Sequence, residues 1–309
     1  MQQLLRTSSD STWRDSISPL RELGAYESLW AEKGATYKRI ADRFRAQPDA
    51  YPSDLVEHSR ADAMADWVLD HLHERGVQRF GIRARHTFEY PQKLRDARHP
   101  LELLTYCGYW NLVESPSVAV VGARTASQDG LARARKLARA LAEDGYTIIS
   151  GLAAGVDTAA HQTALKLGAP TIAVLGTPLG YTYPKENQLL QQIIAREFLV
   201  ISQVPVYRYH HQDYRANRSF FPERNVTMSA LSLATVIVEA SDTSGTLSQA
   251  RAALQQGRKL FILDSCFRKP GLKWPQEFAK KGALRVRDYA DIREHLAPVR
   301  AESYGANPD

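Results

Sequence analysis

From about residue 117 the chain alternates short β-branched or apolar runs with amphipathic helical segments, a rhythm that few folds accommodate. The runs are Ser117–Val121, Thr147–Ser150, Thr171–Leu175, Phe198–Ile201, Thr235–Val238 and Lys259–Leu263. Between the first two, Leu131, Ala134, Leu137, Ala138 and Leu141 recur at helical spacing. Further helices are predicted over Thr158–Leu167, Lys185–Glu197, Thr246–Gln256 and Trp274–Lys281. Val118–Val121 and Val236–Val238 are unbroken apolar runs, as strands covered on both faces must be. The expected fold class is α/β, a doubly wound Rossmann-like parallel sheet. Ligands of such sheets bind beyond the carboxyl ends of the strands, so the residues after each strand carry most information.

The first 80 residues have a different texture. Leu20, Leu23, Leu29 and Trp30, then Tyr37, Ile40 and Phe44, fall at helical spacing. Pro48, Pro52 and Ser53 interrupt the pattern before a second helical run over Ala61–Arg75. A small helical domain is expected over residues 1–80, with residues 81–309 carrying the sheet. His71 and His73 sit two apart on that helix and do not share a face, so they read as surface residues rather than ligands.

Net charge is +6 and unevenly spread: residues 1–80 hold 11 basic and 13 acidic side chains, residues 81–309 hold 29 and 21. The basic excess beside the sheet suits a polyanionic partner. Cys107 and Cys266 lack metal-ligand or redox spacing, there is no membrane-length apolar run, and the N-terminus lacks a secretory apolar stretch. A cytoplasmic protein without metal or cofactor is expected.

Three strand ends carry phosphate-compatible turns. Gly122 and Arg124 follow the first strand, where a bare backbone and a guanidinium fork can meet an anion. Ser150, Gly151 and Gly155 follow the second, with Asp157 and His161 four apart; these two read as a cap and a local hydrogen bond, not an acid–base pair. Ser244, Gly245 and Thr246 open a helix after the strand ending at Glu239 and Ala240. Neither a spaced three-glycine dinucleotide fingerprint nor a P-loop is present.

The stretch 205–225 interleaves aromatics with Arg208, Arg215, Arg218 and Arg224 in what reads as a loop, a mixture suited to stacking bases and binding phosphates. Phe221 reads either as a stacking platform or as a packed core residue. Adjacent His210 and His211 have no partners that would complete a metal shell.

Taken together, Gly122–Arg124, Ser150–His161, Tyr183–Asn187, Phe221–Asn225 and Val238–Leu247 resemble, in order, the motifs of the DNA-processing protein A (DprA, or Smf) family. The approach segment Tyr90–Leu94 and Pro100–Gly108 fits too, so the resemblance covers about residues 88–290. It implies a single-stranded-DNA-binding recombination accessory protein, dimeric, that helps load the strand-exchange recombinase onto DNA taken up in natural transformation. The implied DNA- and phosphate-binding set is Gly122, Arg124, Ser150, Gly151, Arg218, Phe221, Arg224, Asn225, Ser244, Gly245, Thr246 and Arg258. Arg124 and Arg218 would grip phosphates and Phe221 would contact a base. Val226, Gln203 and the Leu263–Cys266 loop depart from the family pattern, and no winged-helix tail is expected to follow, which marks a divergent branch.

Two alternatives remain. One is a nucleotide or DNA sensor acting through a protein partner, for example in defence against foreign DNA. The other is a nucleotide-binding relative of phosphoribohydrolases. The glutamate of the hydrolase motif aligns with Gln249, and an amide is neither a general base nor an anion that stabilises an oxocarbenium-like centre. A non-enzymatic role is therefore expected.

Overall fold

The computed structural model describes residues 17–87 and 89–299. Helices α1 (Pro19–Ala31), α2 (Tyr37–Ala46) and α3 (His58–Glu74) lead into strands β1 (Gly81–Ala84) and β2 (Leu103–Gly108). Next come β3 (Ser117–Val121), α4 (Gln128–Glu143), β4 (Thr147–Ser150), α5 (Val156–Lys166), β5 (Thr171–Leu175), α6 (Gln188–Glu197) and β6 (Leu199–Ser202). Helices α7 (Val206–His211), α8 (Tyr214–Asn217) and α9 (Phe220–Leu231) precede β7 (Ala234–Ile237), α10 (Thr246–Gln255) and β8 (Lys259–Leu263). Helices α11 (Asp264–Arg268) and α12 (Trp274–Ala279), strand β9 (Leu284–Val286) and helix α13 (Tyr289–Arg293) complete the order.

The strands form one nine-stranded sheet in the order β1-β2-β6-β5-β4-β3-β7-β8-β9. β2 runs antiparallel to β1 and to β6, and the remaining pairings are parallel. The chain winds outward from β3 to β6, then returns to lay β7 on the other side of β3. That reversal makes the β3–β7 boundary the switch point, where loops diverge and a crevice opens at the carboxyl ends.

Alternation along the strands divides the core. Val118, Val120 and Ile148 pack with α4 and α5, whereas Ala119, Val121 and Ile149 pack with residues of α9, α10 and α12 on the opposite face. Leu175 and Val200 instead share a cluster with Leu23, Trp30, Phe44 and Leu72 of the first three helices. Ser18 and Thr36 cap α1 and α2 by accepting from Arg21 N and Arg39 N. Gly24 lets α1 and α3 touch backbone to backbone: a Cβ there would stand 1.9 Å from the Ala61 carbonyl oxygen.

The stretch 205–225 is not the loop expected from sequence. It folds as α7, α8 and the start of α9, and polar bonds anchor it to the first helices. Glu27 accepts from the N–H groups of Val206 (2.8 Å) and Tyr207 (3.0 Å). Arg208 donates to the Trp30 carbonyl at 3.1 Å, and Tyr37 donates to the Gln203 carbonyl at 3.2 Å. Arg208 is thus committed to packing.

Burial pushes the Glu27 carboxyl up to about 7 from its usual 4.5, against the pull of the Val206 and Tyr207 amides. A carboxyl with a higher pKa folded than unfolded holds its proton better in the native state. Stability is therefore lost as pH climbs from about 4.5 to about 7, by on the order of 3 kcal/mol. Denaturant unfolding at pH 5 and pH 8 should show the difference between wild type and Glu27→Gln moving against wild type at the higher pH. A gap that stays constant with pH contradicts the assignment.

Candidate nucleic-acid interface

At the switch point the turn after β3 faces the turn after β7 across a cleft of about 820 Å³. Thr246 Oγ1 donates to the Gly122 carbonyl at 3.2 Å, tying the two turns together. Helix α8 and the first turns of α9 form the third wall.

Arg124 stands exposed on the first turn. Its guanidinium carbon lies 5.5 Å from the Phe221 ring centre and 5.7 Å from that of Tyr183. The two rings meet at 5.4 Å with a 60° interplanar angle, an edge-to-face pair beneath the cation. Arg218 also lines the cleft and is exposed, and neither arginine has a carboxylate partner among the described residues. Their donors are available to an anion.

The two readings of Phe221 are separated by its neighbour. Phe220, 2% exposed, enters the core of the first helices, 6.3 Å from Trp30 and 6.2 Å from Tyr37 between ring centres. Phe221, one helical step round, is half-buried and lines the cleft. The Gly176 backbone makes room for it, since a Cβ there would stand 2.4 Å from the ring.

Arg224 and Asn225 serve the walls rather than the opening. Arg224 is 4% exposed and donates to the carbonyls of Gly151 and Val174 (2.8 Å to the latter) and to Asn225 Oδ1 at 2.9 Å. Burial pulls its guanidinium down to about 10, with Asp157 opposing that shift, so it stays protonated. Asn225 lines the cleft, but its amide donates to the Gly245 carbonyl (3.1 Å) and to Ser248 Oγ (2.7 Å). Gly122, Ser244, Gly245 and Thr246 line the cleft as well.

Three residues of the sequence-derived set do not line the cleft. Ser150 is fully buried with its hydroxyl donating to the Val120 carbonyl at 2.7 Å, and Gly151 lies beneath Arg224. Arg258 precedes β8 and so sits at the amino ends of the strands, ion-paired to Asp96 and donating to the Ala230 carbonyl at 3.1 Å. That placement sets it apart from the cleft. Tyr183, Tyr209, Tyr214 and Asn217 line the cleft and were not in that set. Tyr183 stood in a quoted motif, which was the available signal.

Asp157 and His161 do not act on each other. Asp157 accepts from the N–H groups of Gly151 (3.1 Å) and Ala153 (3.3 Å), holding the turn after β4. His161 Nδ1 lies 2.7 Å from Thr171 Oγ1, and burial pushes the imidazole down to about 3. It is neutral at physiological pH, which suits a core hydrogen bond. Gln249 is fully buried. Its amide nitrogen donates to the Asn225 carbonyl, and its oxygen accepts from Ser229 N at 3.3 Å and Thr235 Oγ1 at 3.0 Å.

Residues 82–297 match the family described as DNA recombination-mediator protein A. The chain belongs to that family. It is 38% identical over 174 residues to DNA processing protein DprA of Streptococcus pneumoniae, an alignment covering 56% of this chain and 59% of the relative. The chain spans about half the length of the first curated relatives it matches. The X-ray structure of DprA from Streptococcus pneumoniae superimposes with a TM-score of 0.64 at 28% identity, covering 91% of this chain and 94% of that one. DNA processing protein A from Helicobacter pylori, whose single-stranded DNA binding mode has been described structurally, gives a TM-score of 0.60 at 27% identity, covering 71% of this chain and 95% of that one. Among the described residues, no helix is long and apolar enough to cross a membrane.

Adjacent phenylalanines with different surroundings should respond differently to truncation. Phe220→Ala is expected to cost about 3–5 kcal/mol of folding stability, and Phe221→Ala only about 1 kcal/mol. Equilibrium urea unfolding of both variants checks this, and equal losses would place both rings in the core.

Proposed function

We propose that the chain is a single-stranded-DNA-binding recombination accessory protein that works as a homodimer and assists the strand-exchange recombinase. The observation that carries this reading is the exposed Arg124 guanidinium over the Tyr183–Phe221 ring pair at the switch-point cleft. A cation for the phosphate beside rings for the base is the pairing that a single strand, with its bases unpaired, can use. Family membership and the single-strand binding of the Helicobacter pylori relative support the same reading. Arg124 and Arg218 would hold phosphates, Phe221 would stack, and Arg224 and Asn225 would position the turns. The cytoplasm is the compartment in which such a partner is met.

The same cleft performs no hydrolysis in this reading. Gln249 offers no carboxylate, and Asn225, Ser229 and Thr235 hold its amide within the wall. Incubation with nucleoside monophosphates should release no free base, measured by chromatography. Turnover that disappears in Gln249→Ala would overturn this assignment.

Binding should favour single strands over duplex and weaken as salt rises. Arg124→Ala and Arg218→Ala should each lower the log–log salt slope by about one unit, affecting all sequences similarly. Phe221→Ala should cost roughly 1–3 kcal/mol of binding with the slope nearly unchanged. Fluorescence anisotropy titrations over a salt series read all three, and equal affinity for duplex and single strand would sink the proposal.

A further inference from the structure

We infer that the strand-binding surface continues beyond the cleft, onto a ridge of rings where α3 meets α7, and that this ridge takes further nucleotides of the same single strand. The inference rests on the reading of the cleft given above. The ridge consists of Trp67, His71, Tyr181, His210 and His211, with Arg75 at its flank.

The ridge begins where the cleft ends. Tyr209 lines the cleft, and its ring meets that of Tyr181 edge-on, 4.9 Å between centres. Tyr181 stacks with His71 at 6.0 Å, and His71 lies nearly flat on Trp67 at 4.8 Å and 9°. His210 stands 4.5 Å from His71, and His211 stands 5.4 Å from Trp67. The ring series thus runs unbroken from the cleft wall to the first helices.

These rings are not core. Trp30, Trp110 and Trp274 are at most 6% exposed, whereas Trp67, His71 and Tyr181 are half-buried and both His210 and His211 are exposed. Half-exposed rings in series form a platform that stacks bases irrespective of sequence.

Cations stand beside the ridge, whose helix α3 also exposes Asp66, Asp70 and Glu74. The Arg75 guanidinium carbon lies 3.4 Å from the Tyr181 ring centre, with Nε donating to the Gly180 carbonyl at 3.2 Å. Arg215, on α8, which joins α7 to α9 in the chain, is exposed. Neither Arg75 nor Arg215 has a carboxylate partner among the described residues. By contrast, Arg21 pairs with Asp62 and Arg43 pairs with Glu32 on the same N-terminal helices. Asp213, the acid nearest Arg215 in the chain, is occupied in capping α8, accepting from Arg215 N at 2.7 Å and Ala216 N at 3.0 Å. Unpaired guanidinium groups beside stacked rings fit a phosphodiester chain better than they fit a neutral ligand.

The test is the dependence of binding on strand length. Site sizes of single-strand binders run from about 4 to 16 nucleotides, so oligo-dT of about 6 and about 20 nucleotides would fill the cleft alone or cleft and ridge together. The double variant His210→Ala/His211→Ala and the single variant Arg75→Ala should each weaken the long strand at least fivefold and the short strand less than twofold. The long strand alone should quench tryptophan fluorescence, and Trp67→Phe should abolish that quench. Equal losses on both lengths, or long-strand binding unchanged in the variants, overturns the ridge. Absence of short-strand binding in wild type, with Arg124→Ala causing no loss on either length, overturns the cleft reading itself and the ridge with it.

Discussion

The geometry of the cleft hangs on one buried guanidinium. Arg224 is anchored on α9 but spends its donors on the Gly151 and Val174 carbonyls, at the ends of β4 and β5, and on the side chain of Asn225. Asn225 in turn holds the Gly245 carbonyl on the turn after β7. One side chain and its neighbour therefore fix three strand ends relative to one helix. A buried cation persists only where its donors are satisfied and an opposite charge is near. Asp157 supplies that charge, and burial raises its carboxyl while Arg224 and the Gly151 and Ala153 amides hold it down. Arginine suits the position because its planar fork reaches several carbonyls at once, which a lysine ammonium on a flexible stem cannot reproduce.

A second polar anchor ties the first helices to the cleft. Glu27 on α1 takes the free amides that open α7, and Arg208 on α7 returns to the end of α1 at the Trp30 carbonyl. Since α7 leads through α8 to Arg218 and Phe221, the first helices set where two cleft-lining side chains emerge. Phe220 extends the same coupling into apolar packing against Trp30 and Tyr37.

Much of the sheet was legible because strands covered on both faces must be continuously apolar, as Ser117–Val121 and Lys259–Leu263 are from their second residue onward. Three strands escaped notice: the two edge strands, and Leu103–Gly108, which lies one strand in from the first edge. Gly81–Ala84 is partly exposed and carries Arg83, and Leu284–Val286 is only three residues long. Neither has enough covered surface to write a pattern. Helices α7 and α8 escaped for a related reason, since 6 and 4 residues cannot display a 3.6-residue period. Within the site, turn chemistry pointed to Gly122, Arg124 and Ser244–Thr246 because local backbone needs are written locally. Burial is not. Whether an arginine faces solvent, as Arg124 does, or a ring of carbonyls, as Arg224 does, is decided by elements distant in the chain. Arg258 is different: a residue before a parallel strand belongs at the amino end, so its exclusion from the cleft was available from strand order alone.

The start of α9 shows how helical phase divides labour between adjacent residues. Phe221 and Asn225 are four apart and line the cleft, while Phe220 and Arg224, also four apart, are buried, Phe220 in the core of the first helices and Arg224 in the cleft wall. The ring offered to a ligand and the amide holding Gly245 thus share one face. The core ring and the cation holding β4 and β5 share the other. Neither face can turn without the other, because a rotation by one residue would bring Phe220 into the cleft and strip Gly151 and Val174 of their donor. The phase of α9 is therefore set twice over, by apolar burial and by a buried charge. That double constraint keeps Phe221 beneath Arg124 with no contact from a ligand.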